Sequence, residues 1–408
     1  MRNALWPGPQ SDLAAGLLRR LSCPRLQAGG HLEDTGSRAA VLRHAPVERP
    51  YARSRPLSIE TVDLDTPGPD ELLVRIGAAG LCHSDLSVIN GDRPRPVPMA
   101  LGHEAAGTVE AVGSAVRDLK PGDRVVMSFM PSCGDCQPCA EGRPALCIPG
   151  AEANGRGTLL SGERRIRCDA VPVHHHLGVS GFADYAVVSR HSAVKIEADL
   201  PLVEAALFGC AVLTGVGAIV NTCRVQAGQS AAVVGLGGVG LAAVLGAVAS
   251  GAERVVAIDL SKDKLALARS LGATDTFVAT DPDVGDAIRE ATSGGVDHAL
   301  EAAGSVKAFE LAYRITRRGG ATASAGLAHP SSQIAIPAVS LVAEERTLRG
   351  SYMGSCVPSR DIPRFIGLYR RGKLPVDRLL SSTGPLEEIN EAFDLLDQGK
   401  VIRHVIAF

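Results

Sequence analysis

Residues 231–260 read AAVVGLGGVGLAAVLGAVASGAERVVAIDL. An apolar strand, a glycine-rich turn, an apolar helix and a second strand follow one another. The turn, Gly235-Leu236-Gly237-Gly238-Val239-Gly240, is a G-x-G-x-x-G, a pattern that carries meaning only where it leaves a strand and opens a helix. Gly235 permits the tight turn, Gly237 lets a diphosphate approach the backbone, and Gly240 lets helix and strand pack closely. Amide N–H groups at the helix N-terminus, around Gly238 and Val239, would then bind the phosphates. Asp259 closes the second strand, where a carboxylate accepts bonds from the adenosine ribose hydroxyls and repels a 2′-phosphate. NAD is therefore expected rather than NADP.

Working outward, the same grammar continues. SKDKLALARSLGA (261–273) predicts a helix with Ser261 as N-cap and Gly272 as stop. DTFVAT, a helix from Val284 to Ala291, VDHALEAAG, a helix through Ala308 to Ile315, and GATASAG extend a βα alternation. This is the signature of a doubly wound parallel sheet, a Rossmann-type α/β domain. Upstream, AAVLRH, PLSIETVDL, DELLVRIGAAGLC, ALGHEAAGTVEAVG and PGDRVVM predict short strands and turns, hence an antiparallel β-rich domain. Residues 148–165 read as a polar, glycine-rich loop, GFADYAVVS as a strand, and PLVEAALFGCAVLTGVGAIV as a helix. Beyond residue 352 comes mixed structure, with a helix at DIPRFIGLYRRG and a terminal strand VIRHVIAF.

The expected organisation is a dinucleotide-binding domain at 212–352 and a second domain built from both chain ends, 38–211 and 353–408. Residues 1–37 are expected to be a disordered extension. An Arg-bearing transit helix is the alternative there, disfavoured because Pro7, Pro9, Pro24 and Gly29-Gly30 bracket the apolar residues.

A formal net charge of −2 leaves no electrostatic footprint for gripping nucleic acid or an anionic membrane. No run of about 18 apolar residues occurs, so no transmembrane helix is expected. Ten cysteines without a secretory signal point to a reducing, cytoplasmic setting in which thiolates meet metal.

Four of those cysteines crowd into PSCGDCQPCAEGRPALC (131–147), spaced C-x2-C-x2-C-x7-C. A bacterial-type iron–sulfur cluster matches the first three but not the fourth. Disulfides suit neither the compartment nor cysteines two residues apart. A nucleic-acid zinc ribbon would sit in basic surroundings, whereas this segment is near neutral. A closed structural zinc held by Cys133, Cys136, Cys139 and Cys147 meets no such objection.

Cys82 in GLCHSDL, His103 in ALGHEAAG and Cys210 in LFGCAVLTG would make an open two-Cys, one-His zinc set. Taken singly, each reads as a packed core cysteine or a satisfied histidine before it reads as a ligand, and spacing alone cannot assemble them. The order GLCHSDL, LGHEAAGTVEAVG, PSCGDCQPC, the fourth cysteine, LFGCAVLTGVGA, VVGLGGVG and GKVIRHVIAF resembles the zinc-dependent alcohol dehydrogenases of the medium-chain dehydrogenase/reductase superfamily. The resemblance spans about residues 38–408. The segment GTLLSGERRIRCDAVPVHHHLGVSGFADYAVV is similar to the longer middle segment of the dimeric class I and class III enzymes.

The resemblance implies a GroES-like catalytic domain, two zinc ions per chain, NAD, a small alcohol or aldehyde substrate and a homodimer. It implies Cys82, His103 and Cys210 as catalytic zinc ligands, Ser84 as the hydroxyl that starts proton transfer, and Asp85 behind a histidine ligand. Glu104 adjoins the metal in relatives. His83 and Arg403 match positions at the cofactor diphosphate, Thr214 the nicotinamide side, and Asp259 with Lys264 the adenosine ribose. Phe129 and Leu177 fall where relatives line the substrate pocket. His174-His175-His176 reads as structural rather than as a metal tract. The implied reaction passes hydride between a zinc-bound alcohol and NAD.

Two departures stand out. Ser87 occupies the position of a histidine that passes the proton to solvent in many relatives. Ala151 stands where members acting on glutathione–formaldehyde adducts carry an arginine, though Arg156 is near. A thiol-dependent formaldehyde dehydrogenase or nitrosothiol reductase is thus the alternative reading.

Overall fold

The computed structural model describes residues 36–408, so the expected extension lies outside the described residues except for its last two positions. Ser37 already opens the first strand, Ser37–Leu42.

Six parallel strands form one sheet in the order Asp275–Val278, Arg254–Asp259, Ser230–Val234, Val296–Glu301, Thr316–Ser324, Thr347–Gly350. The chain winds outward from Ser230–Val234 in both directions. The crevice at its carboxyl end, beside Val296–Glu301, is therefore where the winding reverses and where such sheets bind ligands. Ala231, Ala232, Val233 and Val234 are all buried, as expected of a strand covered on both faces. Gly235 follows with φ +94°, and a Cβ there would come within 2.6 Å of Ala303 Cβ. A Cβ on Gly240 would sit 1.8 Å from the Gly235 carbonyl, so the fingerprint helix Gly238–Ala249 could not leave the strand this closely with any other residue.

The second domain holds a seven-stranded sheet and a closed barrel. The sheet runs Ala193–Ile196, Arg124–Met127, Glu104–Val112, Glu71–Gly80, Arg403–Ala407, Leu380–Gly384, and Tyr185–Ser189 also pairs with Glu71–Gly80. The barrel joins Ser37–Leu42, Leu57–Leu64, Ile166–Cys168, Val171–His175 and Met99–Ala100. Val405 opposes Gly80 and Ala407 opposes Ala78, so the last strand completes a sheet begun near residue 71. Strands from both ends of the described residues thus meet in these sheets. One buried apolar cluster runs from Phe129 and Leu177 through Val212 and Leu213 to Leu241 and Ala242, and it joins the two domains.

Two sequence expectations need correction. Residues 148–165 are not all loop, because Ile148–Arg156 is an α-helix. Pro149 occupies its first turn, the Cys147 sulfur accepts from the Gly150 N–H, and Gly157 at φ +67° closes it. The stretch 201–220 is not one helix. Leu202–Ala206 and a 3-10 turn Leu207–Gly209 end at Cys210, whose φ −140° and ψ −73° are not helical, before Ala211–Gly217 resumes. The two arms meet at 51°. Among the described residues no single helix is long and apolar enough to cross a membrane; this bent pair passes on composition, and most of its residues are buried in the shared core.

Candidate catalytic metal site and dinucleotide cleft

Three separate elements deliver the open metal set. Cys82 follows the strand Glu71–Gly80 and caps the helix His83–Ile89, its sulfur accepting from the Ser84 N–H at 3.5 Å. His103 immediately precedes the strand Glu104–Val112, and Cys210 occupies the helix break. At that break, where the two arms meet at 51°, the Cys210 sulfur joins the other donors. The ligand atoms of Cys82, His103, Glu104 and Cys210 all lie within 4.8 Å of one another, and all four residues are buried.

Asp85 sets the histidine. Asp85 Oδ1 accepts from the Gly102 N–H at 3.1 Å, and lies 3.2 Å from His103 Nδ1 and 2.9 Å from His176 Nδ1. With Nδ1 occupied, His103 presents Nε2 to the sulfurs, and that atom is buried without a hydrogen-bond partner. Burial opposes charge on both members of the Asp85–His103 pair. Even so, His103 with His176 holds the carboxyl at about 2, and Asp85 with Cys82 holds His103 up to about 10. The bond from Cys210, aided by His103, draws Cys82 well below the ordinary thiol range; the same bond and burial push Cys210 well above it. Two buried sulfurs held against each other, an imidazole nitrogen without a partner and an unpartnered Glu104 Oε1 fit a divalent cation, and the donor set is that of zinc.

The four clustered cysteines form a separate group, their sulfurs also within 4.8 Å of one another. The Cys133 and Gly150 N–H groups donate to Cys147 Sγ at 3.2 and 3.3 Å, and the Cys136 N–H to Cys133 Sγ at 3.3 Å. Backbone donors from Ile148 and Cys139 bring Cys136 down to about 7, whereas burial pushes Cys139 up to about 12. Four thiols so close suit a cation that takes all four as thiolates.

Between the domains lies a cavity of about 120 Å³ lined by Cys82, Ser84, His103, Cys210, Thr214 and, from the glycine-rich turn, Val239. Phe129 and Leu177 line it as well. Leu177 at φ +51° and Met353 at φ +51° both hold left-handed backbone in its wall, a conformation that costs roughly 1 kcal/mol or more per non-glycine residue and collects at functional sites.

The expected cofactor residues cluster at the turn. A Cβ on Gly238 would lie 2.6 Å from Arg403 Cδ, so this glycine lets the arginine lie across the helix start. Arg403 and Lys264 are close enough to act electrostatically on His83. Asp259 accepts from the Leu236 N–H at 2.7 Å and the Ser261 N–H at 2.9 Å, which ties its carboxylate to the turn.

Several site residues escaped the sequence reading. The His174–His176 run divides: His174 Nδ1 lies 3.2 Å from the Arg156 carbonyl, His175 Nε2 accepts from the Arg165 N–H at 3.1 Å, and His176 reaches the cavity. Its ring meets that of His103 edge-on at 5.4 Å. The only hint was its adjacency to Leu177. Arg93, Arg95 and Tyr352 also line the cavity, and nothing in their local sequence marked them.

Comparison with known proteins agrees with this architecture. The alcohol dehydrogenase GroES-like domain family matches residues 68–198, and the zinc-binding dehydrogenase family matches residues 238–371. An alcohol dehydrogenase zinc-binding domain protein from Burkholderia ambifaria is 37% identical with a TM-score of 0.86, the match covering 91% of this chain and 98% of that one. Benzyl alcohol dehydrogenase from Acinetobacter calcoaceticus is 32% identical with a TM-score of 0.85, covering 91% and 99%. A zinc-binding dehydrogenase from Sinorhizobium meliloti 1021 bound to NADP is 28% identical with a TM-score of 0.73, covering 91% and 99%. The fold and these matches define an oxidoreductase of the zinc-binding dehydrogenase class. The chain belongs to the zinc-dependent alcohol dehydrogenases of the medium-chain dehydrogenase/reductase superfamily.

Proposed function

We propose that the chain is an NAD-dependent alcohol dehydrogenase that interconverts small primary or aryl alcohols and their aldehydes. Cys82, His103 and Cys210 would hold the catalytic zinc, and Cys133, Cys136, Cys139 and Cys147 a structural one. The observation that carries the reading is the convergence of Cys82, His103 and Cys210 with Ser84, Thr214 and Val239 on one cavity at the reversal point of the parallel sheet.

When bound, the zinc supplies a Lewis acid that acidifies a hydroxyl or polarises a carbonyl, and the nicotinamide supplies the hydride acceptor or donor. The chain's own residues do the rest. Asp85 and His176 hold His103 in place. Ser84 receives the hydroxyl proton. Ser87 does not extend that path, because its Oγ donates to the His83 carbonyl at 2.8 Å, within its own helix; a ribose hydroxyl of the bound cofactor would be the acceptor beyond Ser84. Val88, Phe129, Leu177, Leu327 and Met353 give the cavity an apolar wall that keeps water from the reacting carbon. Its volume suits a one-ring or short-chain alcohol. The Asp259 carboxylate favours NAD over NADP.

Steady-state assays with NAD against free primary alcohols and against thiol–formaldehyde adducts test this reading. Turnover of benzyl alcohol and short primary alcohols is expected. Turnover of adducts alone would replace it with the thiol-dependent alternative.

A further inference from the structure

The cavity carries two cations that a simple alcohol does not need. Arg93 and Arg95 both line it, from the proline-interrupted segment between the helix His83–Ile89 and the strand Met99–Ala100. Elsewhere Arg75, Arg165, Arg254 and Arg317 each pair with a carboxylate. Among the described residues, Arg93 and Arg95 form no ion pair. Arg93 Nη2 donates only to backbone, to the carbonyls of Leu327 at 2.8 Å and Ala328 at 3.3 Å. Arg95 Nη1 donates to the Asn154 carbonyl at 3.3 Å. These bonds orient the two guanidinium forks but put neither in contact with a carboxylate, and a half-buried charge without a paired partner is costly. Burial lowers Arg93 below its ordinary value and the neighbouring Arg95 charge adds to the effect, while Tyr352 and Asp92 oppose it without reversing it.

Position gives the pair a target. Arg95 also lines an adjoining cavity of about 310 Å³, together with Leu177, Tyr352 and Ala151, so it stands where the inner and outer spaces meet. Phe129 and Tyr352 meet edge to face at 5.8 Å and form an aromatic wall of the inner cavity. An elongated ligand with its reacting carbon at Cys82, His103 and Cys210 would lay an apolar body on this wall and bring its far end to the arginines.

We propose that the substrate is an alcohol or aldehyde bearing a carboxylate at its far end, held in place by Arg93 and Arg95. This rests on the dehydrogenase reading and names its substrate class. The reaction balances as for any primary alcohol. The carbinol C–H bond breaks and its hydrogen passes with both electrons to oxidised nicotinamide. The hydroxyl proton leaves by way of Ser84, the aldehyde forms, and the carboxylate is unchanged.

The test compares para-(hydroxymethyl)benzoate with benzyl alcohol, which share one body and differ by the carboxylate. With the zinc-loaded enzyme and NAD, kcat/KM should favour the acid by about tenfold or more, the scale of a charge-assisted hydrogen bond, and added salt should erode the preference. Arg95→Leu and Arg93→Leu should each reduce the acid-to-neutral ratio by about tenfold, and Arg95→Lys should retain part of it. A ratio near unity, or one that both Leu variants leave intact, overturns the proposal. A binding arm stands apart from turnover: para-formylbenzoate should raise the melting temperature of the enzyme–NAD mixture more than benzaldehyde does. If neither alcohol reacts, the dehydrogenase reading fails, and equal shifts by the two aldehydes still overturn the carboxylate site.

Discussion

Arg403, in the last strand, and Glu104, next to His103, form an ion pair with both side chains withdrawn from solvent. The stem of the same arginine lies against Gly238 at the glycine-rich turn. One side chain therefore touches both the dinucleotide cleft and the residue beside the candidate metal cluster. Removing it strands a buried carboxylate, so Arg403→Leu should cost about 3–5 kcal/mol in chemical denaturation. Combining it with Glu104→Gln should recover much of the loss. A loss on the scale of a surface ion pair, below about 1 kcal/mol, would contradict this.

The two cysteine groups should separate cleanly on mutation. Cys210→Ala should remove one zinc per chain and abolish turnover while the fold persists, because Cys82 and His103 remain in a packed wall. Cys136→Ala should remove the other zinc and mainly lower stability, since the 131–147 segment has little apolar core of its own. Metal content, circular dichroism and activity on the same preparations distinguish the two outcomes.

Asp259 offers a cofactor prediction. The carboxylate both accepts from the turn and would repel a 2′-phosphate. Asp259→Asn keeps an acceptor and removes the charge, so kcat/KM for NADP relative to NAD should rise by about tenfold, the effect of roughly 1.4 kcal/mol. An unchanged ratio would place cofactor choice elsewhere.

Asp297 ties the amino ends of two central strands together. Its Oδ2 accepts from the Ser230 N–H at 2.8 Å and hydroxyl at 2.6 Å, and Oδ1 from Arg317 Nε at 2.8 Å. Burial opposes the shift, but the Ser230 donors and then Arg317 lower it from 3.8 to about 2. A folded value below the unfolded one gives stability that is present above about pH 4 and lost as pH falls through about 2. Asp297→Asn should therefore cost about 1 kcal/mol at neutral pH, after allowance for solvent screening. The gap from the unmutated protein should close between pH 4 and pH 2 in urea titrations.

Local features were legible in the sequence. The turn at Gly235–Gly240 and the cysteines at 133–147 are short-range patterns whose meaning lies in their own spacing, and the alternating strands and helices around Asp259 follow from periodicity. The set Cys82, His103 and Cys210 was not legible that way, because three sites far apart in sequence meet only through the fold; resemblance alone supplied it. The break at Cys210 was hidden because that segment is apolar all round, so periodicity shows no change of direction. Glycines at 150 and 155 disguised the helix Ile148–Arg156. His176, Arg93 and Arg95 were missed for another reason: which way a side chain points within a three-histidine run or between prolines depends on neighbours that no local pattern encodes.

Anomalous scattering at the zinc edge from crystals of the purified protein tests the central claim most directly. Two peaks per chain are expected, one among the sulfurs of Cys133, Cys136, Cys139 and Cys147 and one bounded by Cys82, His103 and Cys210. A peak at the four-cysteine group alone, in enzyme that turns over alcohol, would contradict the account.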